Sequence, residues 1–148
     1  MNREEVFEQL KEDEGVKYEI YNDHLGLATF GVGHLVIESD SEFSQALGTS
    51  ISTERVWEAF EQDLDTSIDE CEVLFGSKWH DFPGEVQEIV VNMMFNMGRP
   101  RLSKFKNFCA ALDEGDWAKA AVEGRDSRWH KQVTNRAERL MVRLENVS

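Results

Sequence analysis

Cysteine and proline are scarce in this chain, with two of each among 148 residues, and basic residues are scarce in its first half. Cys71 and Cys109 fall on separate expected helices without CxxC spacing, so two reduced thiols in hydrophobic packing are expected rather than a disulfide. No stretch approaches the ~18 apolar residues that a membrane span needs, and the N-terminal MNREEVFEQL has no apolar run of signal-peptide length. These absences lead us to expect a soluble chain made in the cytoplasm, with no stable membrane insertion. The four histidines show no HExxH or other zinc spacing. Gly31-Val32-Gly33 lacks the third glycine of a dinucleotide fingerprint, and no phosphate loop ends in Lys-Ser or Lys-Thr. Neither a metal nor an organic cofactor is expected.

What is abundant is negative charge. The chain carries 16 Lys plus Arg against 29 Asp plus Glu, a net −13. Residues 1–76 hold 4 basic and 19 acidic residues, a balance of −15, whereas residues 77–148 hold 12 and 10, a balance of +2. Phosphate affinity rests on clustered Lys and Arg, so nucleic acid is not an expected partner. The plain reading of the acidity is solubility. A basic cluster, Arg99, Arg101, Lys104 and Lys106, follows Gly98. The acidic DLDTSIDE stretch is not a calcium loop, because counting from Asp63 the required Gly falls on Ile68 and the required Glu on Leu74.

A hydrophobic content of 41% without repeats or low-complexity tracts fits one compact domain or two small lobes sharing a core. Asn2 followed by Glu5 is a capping-box start, Val6, Phe7 and Leu10 form a helical stripe, and Gly15 is a stop. Residues 38–50 are polar and read as a connecting loop with one helical turn at most. Ser52 opens a long helix in which Val56, Phe60, Leu64, Ile68, Cys71 and Phe75 recur at helical spacing up to Gly76. Pro83 suits the first turn of a helix that carries Val86, Ile89, Val90, Met93 and Met97 to Gly98. Ser103 is placed to cap a helix through Phe105, Phe108 and Leu112, and Asp116 to cap a short one through Trp117, Ala120 and Ala121. The last helix, capped near Thr134, carries Ala137, Leu140, Met141 and Leu144. Short helices with tight turns of this kind make a bundle.

Residues 14–35, EGVKYEIYNDHLGLATFGVGHL, carry the candidate chemistry. Tyr18 to Tyr21 are β-formers, Asn22-Asp23-His24 has turn chemistry, and Leu27 to Val32 reads as the returning strand. This hairpin would bring Asp23 and Thr29 back near Glu14 at the end of the first helix. Two carboxylates on different elements can hold different protonation states, which splitting an acetal requires. Glu14 would be the acid and Asp23 the ionised partner. Spacing alone is weak support in a chain with 29 acidic residues.

Asp13-Glu14-Gly15, Ile20-Tyr21-Asn22-Asp23, Gly26, Thr29 and Gly31-Val32-Gly33-His34-Leu35 together resemble the catalytic block of the phage-type lysozymes. Val91 to Gly98, Ser127-Arg128-Trp129 and Thr134 to Arg139 resemble that family's later blocks in the same order. The resemblance implies an α+β lysozyme-like fold over residues 1–148: a β-hairpin lobe at about 14–58, an inter-lobe helix at about 52–75, and a helical lobe at about 76–148 with residues 1–12, enclosing a cleft for a glycan. It implies a peptidoglycan hydrolase, an N-acetylmuramidase cleaving the β-1,4 bond between N-acetylmuramic acid and N-acetylglucosamine with inversion. Thr29 would place the attacking water, Leu35 and Phe95 would line the substrate site, Arg136 would pair with Glu14, and His34 with Asp63 as a buried salt bridge. Phe108 and Glu123 depart from the family pattern, which has Ser and Asn there, so preference for glycan and stem peptide is left open. The resemblance further implies a monomeric endolysin that waits in the host cytoplasm and reaches the periplasmic wall when a holin opens the inner membrane. A non-catalytic wall-binding or virion structural protein of the same fold is the alternative.

Overall fold

The first glycine stop acts as its position predicts. Gly15 takes a left-handed φ of +78°, and its N–H donates to the Lys11 carbonyl at 2.9 Å, ending helix α1 (Arg3–Glu14). In the computed structural model, which describes residues 1–148, three strands follow: β1 (Lys17–Asn22), β2 (Ala28–Gly31) and β3 (His34–Leu35). The remaining elements are α2 (Thr53–Phe75), a 3-10 segment (Gly76–Asp81), α3 (Gly84–Met97), α4 (Arg99–Leu102), α5 (Lys106–Asp113), α6 (Trp117–Arg125), α7 (Arg128–Gln132) and α8 (Thr134–Glu145). Eight helices and one antiparallel sheet in the order β1-β2-β3 give the expected α+β class.

The chain divides into two compact units, one of residues Arg3–Asp65 and one of Met1–Asn2 with Thr66–Ser148. α2 contributes residues to both. The first twelve residues were expected with the helical lobe, but only Met1 and Asn2 fall there. The reason is aromatic packing and charge within residues 3–65. Phe7 meets Trp57 and Phe60 edge-on, with centroids 4.5 and 4.6 Å apart, and Arg3 bridges Glu61 at 3.2 Å and Asp65 at 2.5 Å.

In this unit the sheet is built on Ile20 and Phe30, which pack with Ile51, Val56 and Ala59 in a closed core. Tyr21 pairs with Thr29, Thr29 with Leu35, and Phe30 with His34, so Tyr21, Thr29 and Leu35 form one cross-strand row. The register slips between Lys17 and Tyr21. There the loop returns against β1: the Ile20 amide donates to Thr49 at 3.0 Å and the Ile51 amide to Tyr18 at 2.8 Å. The expected connecting loop is thus pinned to the sheet edge before Ser52 caps α2, its hydroxyl accepting from the Arg55 amide at 3.1 Å.

The second unit is a helical bundle around fully buried Met93, Leu102, Phe108, Leu112, Trp129 and Leu140. Asp116 caps α6 as expected, accepting from the Lys119 amide at 3.1 Å, and Ser127 caps α7 by accepting from the His130 amide. One expected cap differs. Ser103 closes α4 rather than opening α5, its hydroxyl bonding the Pro100 carbonyl at 2.9 Å, because the unforeseen turn Arg99–Leu102 occupies the approach. Thr134 is the first residue of α8, with Val133 at the cap, since its hydroxyl turns back to the Lys131 carbonyl. Gly124 lets α6 approach α8, as an added Cβ would lie 2.3 Å from Met141 Sδ. Cys71 and Cys109 are free thiols, and burial raises the first to about 12 and the second to about 11.

Candidate active site

Asp23 sits in the β1–β2 turn with one oxygen accepting two backbone N–H groups, from Leu25 and Leu27, each at 2.9 Å. Its own amide returns to the Leu27 carbonyl and its carbonyl accepts from Gly26, so the turn is closed on every side. The Leu27 amide holds the carboxyl below its usual range, partial burial opposes it, and the amides of Leu25 and Gly26 and the neighbouring His24 add to the lowering. Asp23 is therefore an ionised, fixed acceptor.

Thr29 lies one step along the hairpin and is 3% exposed. Its hydroxyl donates to the Leu27 carbonyl at 2.9 Å. That bond uses the hydroxyl proton and leaves the oxygen as an acceptor. Across the strand pair stands Tyr21, under the Lys17 ammonium at 4.5 Å from its ring centre. Burial, then the negative charges of Asp23 and Glu14, push its phenol up. Tyr21 thus feels both carboxylates, which ties the half-buried end of α1 to the turn that holds Asp23. Leu35, expected at the substrate face, is 45% exposed on the far side of Thr29.

His34 is held as expected, and by more than expected. Its Nδ1 meets Asp63 at 2.8 Å, and its Nε2 meets Asp40 at 2.8 Å. Carboxylates on both ring nitrogens call for the doubly protonated imidazolium. Burial opposes that charge, but Asp63 and Asp40 outweigh it and push the histidine up. Arg55 extends the network: it grips Glu42 through two bonds of 2.9 Å, Asp40 at 3.1 Å and Glu58 at 2.7 Å, with its guanidinium over the Phe30 ring. Asp40, Glu42 and Arg55 were not singled out in the sequence. Their only signal was an acidic loop facing the lone cation of early α2.

Phe95 and Arg136 belong to the unit of residues 66–148. Phe95 is half-buried on α3, and Arg136 is buried on α8, donating from Nε to Asn92 Oδ1 at 2.9 Å and from Nη2 to the Asn92 carbonyl. Of the two departures from the family pattern, Phe108 is a fully buried core residue and Glu123 is half-buried on α6.

The profile of the family described as Phage lysozyme matches residues 11–146. The chain is 33% identical over 150 residues to the pre-baseplate central spike protein Gp5 of Enterobacteria phage T4, covering 90% of this chain and 26% of that protein. It is 29% identical over 152 residues to probable T4-type lysozyme 2 of Dictyostelium discoideum, covering 90% of this chain and 89% of that protein. Probable T4-type lysozyme 1 of the same organism is 29% identical over 162 residues, covering 95% and 93%.

Proposed function

Because the chain belongs to the phage lysozyme family, a family of peptidoglycan hydrolases, we propose that it cleaves the β-1,4 bond between N-acetylmuramic acid and N-acetylglucosamine with inversion. Glu14 gives its proton to the bridging oxygen as the bond to the anomeric carbon breaks. A water held at Thr29 attacks the opposite face, and Asp23 stabilises the oxocarbenium-like centre and takes up the water's proton. Inversion needs room for that water, so the two carboxyl groups would stand ~6.5–9.5 Å apart. The observation that carries the reading is Asp23 held ionised by the turn amides, one step from a threonine whose hydroxyl oxygen is free to accept. Leu35, Phe95 and Arg136 enter through the family resemblance.

Turbidity loss of outer-membrane-stripped Gram-negative cells, with wild type and Glu14→Gln side by side, tests this. The variant is expected to lose at least ~10²-fold of activity, the lower range of general acid catalysis, with little change in stability. Lysis near the wild-type rate would remove Glu14 from the role of acid.

The proposed setting is host lysis by a monomer that meets the wall once a holin has opened the inner membrane. No helix is long and apolar enough to cross a membrane. Prompt lysis of intact cells by this chain alone would contradict that route. A second reading, a virion component, is favoured by the match to about a quarter of a spike protein. Absence of hydrolysis by the wild type in the same assay would select it.

A further inference from the structure

A water that attacks an anomeric carbon brings two hydrogens and two lone pairs, and the side chains that hold it at Thr29 and Asp23 are both acceptors. Thr29 spends its hydroxyl proton on the Leu27 carbonyl at 2.9 Å, so towards water it only accepts. Asp23, held ionised by the turn amides, likewise only accepts. Between them they take the two hydrogens of the water. One lone pair is needed for the attack, which leaves the other without a donor.

The sheet supplies one in the same row. Tyr21 stands directly across from Thr29 and shares its face, the one opposite the core residues Ile20 and Phe30. Leu35, the third member of the row, has no polar side-chain atom, so the phenol is the row's one remaining donor. That hydroxyl makes no hydrogen bond to the protein, although Tyr21 is half-buried. The Lys17 ammonium lies 4.5 Å from the ring centre, steadying the ring by its face and leaving the hydroxyl open. Burial, then the charges of Asp23 and Glu14, favour the protonated phenol, the form that donates. The other nearby donors are Lys17 itself, turned onto the ring, and His24, exposed in the turn.

We propose that Tyr21 is a further residue of the hydrolytic site, its phenol donating to the attacking water while Thr29 and Asp23 accept that water's two hydrogens. The inference rests on the hydrolytic reading and adds a residue to it. In the step, one lone pair of the water forms the bond to the anomeric carbon as the glycosidic bond breaks. The electron pair of that bond stays on the bridging oxygen, which takes the proton of Glu14. Asp23 takes one proton of the water, and Tyr21 keeps its own. Three contacts fix the water in one orientation, with its remaining lone pair aimed at the carbon.

The test is steady-state hydrolysis of soluble, un-crosslinked peptidoglycan strands by the full chain and by Tyr21→Phe, which removes the hydroxyl and keeps the ring. The variant is expected to lose about tenfold in kcat, what one hydrogen bond made in the transition state is worth, with KM within about twofold and the unfolding temperature unchanged. Thr29→Val is expected to lower kcat as well. Combined with Tyr21→Phe it should lose less than the product of the two single losses, because both side chains act on one water. Wild-type kcat in Tyr21→Phe, a loss confined to KM, a loss that follows a lowered unfolding temperature, or strictly multiplicative losses in the double variant would each overturn the role of Tyr21. So would a larger loss in Lys17→Met or in His24→Ala, which would give the donor's place to that residue. Glu14→Gln measured alongside keeps the two readings apart: if it loses its activity while Tyr21→Phe does not, hydrolysis stands and the role of Tyr21 falls. No hydrolysis by the wild type would overturn both.

Discussion

The two units treat charge in opposite ways. Residues 3–65 hold 4 basic and 16 acidic residues, a balance of −12, yet every cation there is engaged: Arg3 by Glu61 and Asp65, Lys11 by Glu8, Lys17 by a ring, Arg55 by three carboxylates. The rest of the chain, with 12 basic and 13 acidic residues, is nearly neutral and leaves four cations, Arg101, Lys104, Lys106 and Arg128, open in one groove. Net charge therefore says little about where free charge stands. In the acidic unit scarce cations are drawn into pairs because each is surrounded by acceptors. In the balanced unit the acids are taken up elsewhere, as in the fork from Arg125 to Glu138 and Glu145, where the Arg125 bonds bring Glu138 down to about 2.

The sharpest way to break this contrast is at His34, where the acidic unit relies on a buried cation. His34→Asn should destabilise the protein by about 3 kcal/mol near pH 6, the lower end for a broken buried pair, because Arg55 still meets Asp40. The folded-state histidine is raised, so its contribution is full below the unfolded value of ~6.5 and is lost as pH rises through the folded value. Asp40 is lowered despite its burial, through the Ile37 amide, His34 and Arg55, so its share is present above ~4 and is lost as pH falls further. The difference in unfolding free energy between wild type and variant should thus peak between about pH 4 and 6.5 and shrink on either side. A difference flat from pH 4 to 9 would mean that His34 packs there as a neutral ring.

A smaller effect is expected from salt. The acidic unit should repel a polyanionic wall, and raising salt from 0.01 to 0.15 M shortens the screening length from ~30 to ~8 Å. Activity on whole stripped walls should rise a few-fold over that range, less on short neutral chito-oligomers, and more steeply in Lys104→Ala/Lys106→Ala. A steady fall for the wild type would mean that the open cations, not the acidic unit, meet the wall first. The smallest effect is the stability of that double variant, expected within about 0.5 kcal/mol of wild type by thermal unfolding because neither lysine has a partner to lose. A larger loss would reveal a structural role for the groove.

Much of the candidate site was legible before any fold. Gly15 and the turn residues around Asp23 act locally, so their spacing carried the helix end and the hairpin, while the register came only with the fold. Tyr21 was read only as a strand former, because its nearness to Glu14 depends on how α1 returns to the sheet. Asp40, Glu42 and Arg55 were missed for a similar reason: the chain of contacts from His34 to Asp40, from Asp40 to Arg55 and from Arg55 to Glu42 needs the loop of residues 38–50 pinned along β1, and nothing in its composition states that path. Ser103 was misplaced by one element boundary, since a hydroxyl that can bond forwards to an amide can equally bond back to a carbonyl.

The sequence by itself determined the free thiols and the order of Glu14, Asp23 and Thr29 through residue type and spacing, and the family, with the α+β pattern it implies, through resembling blocks spread along most of the chain. Only the tertiary structure decided which charges remain open. Arg99 and Lys104 are five residues apart in the same basic stretch, yet one is neutralised by Glu70 on α2 and the other faces a groove, because an ion pair depends on which distant carboxylate the packing brings within reach.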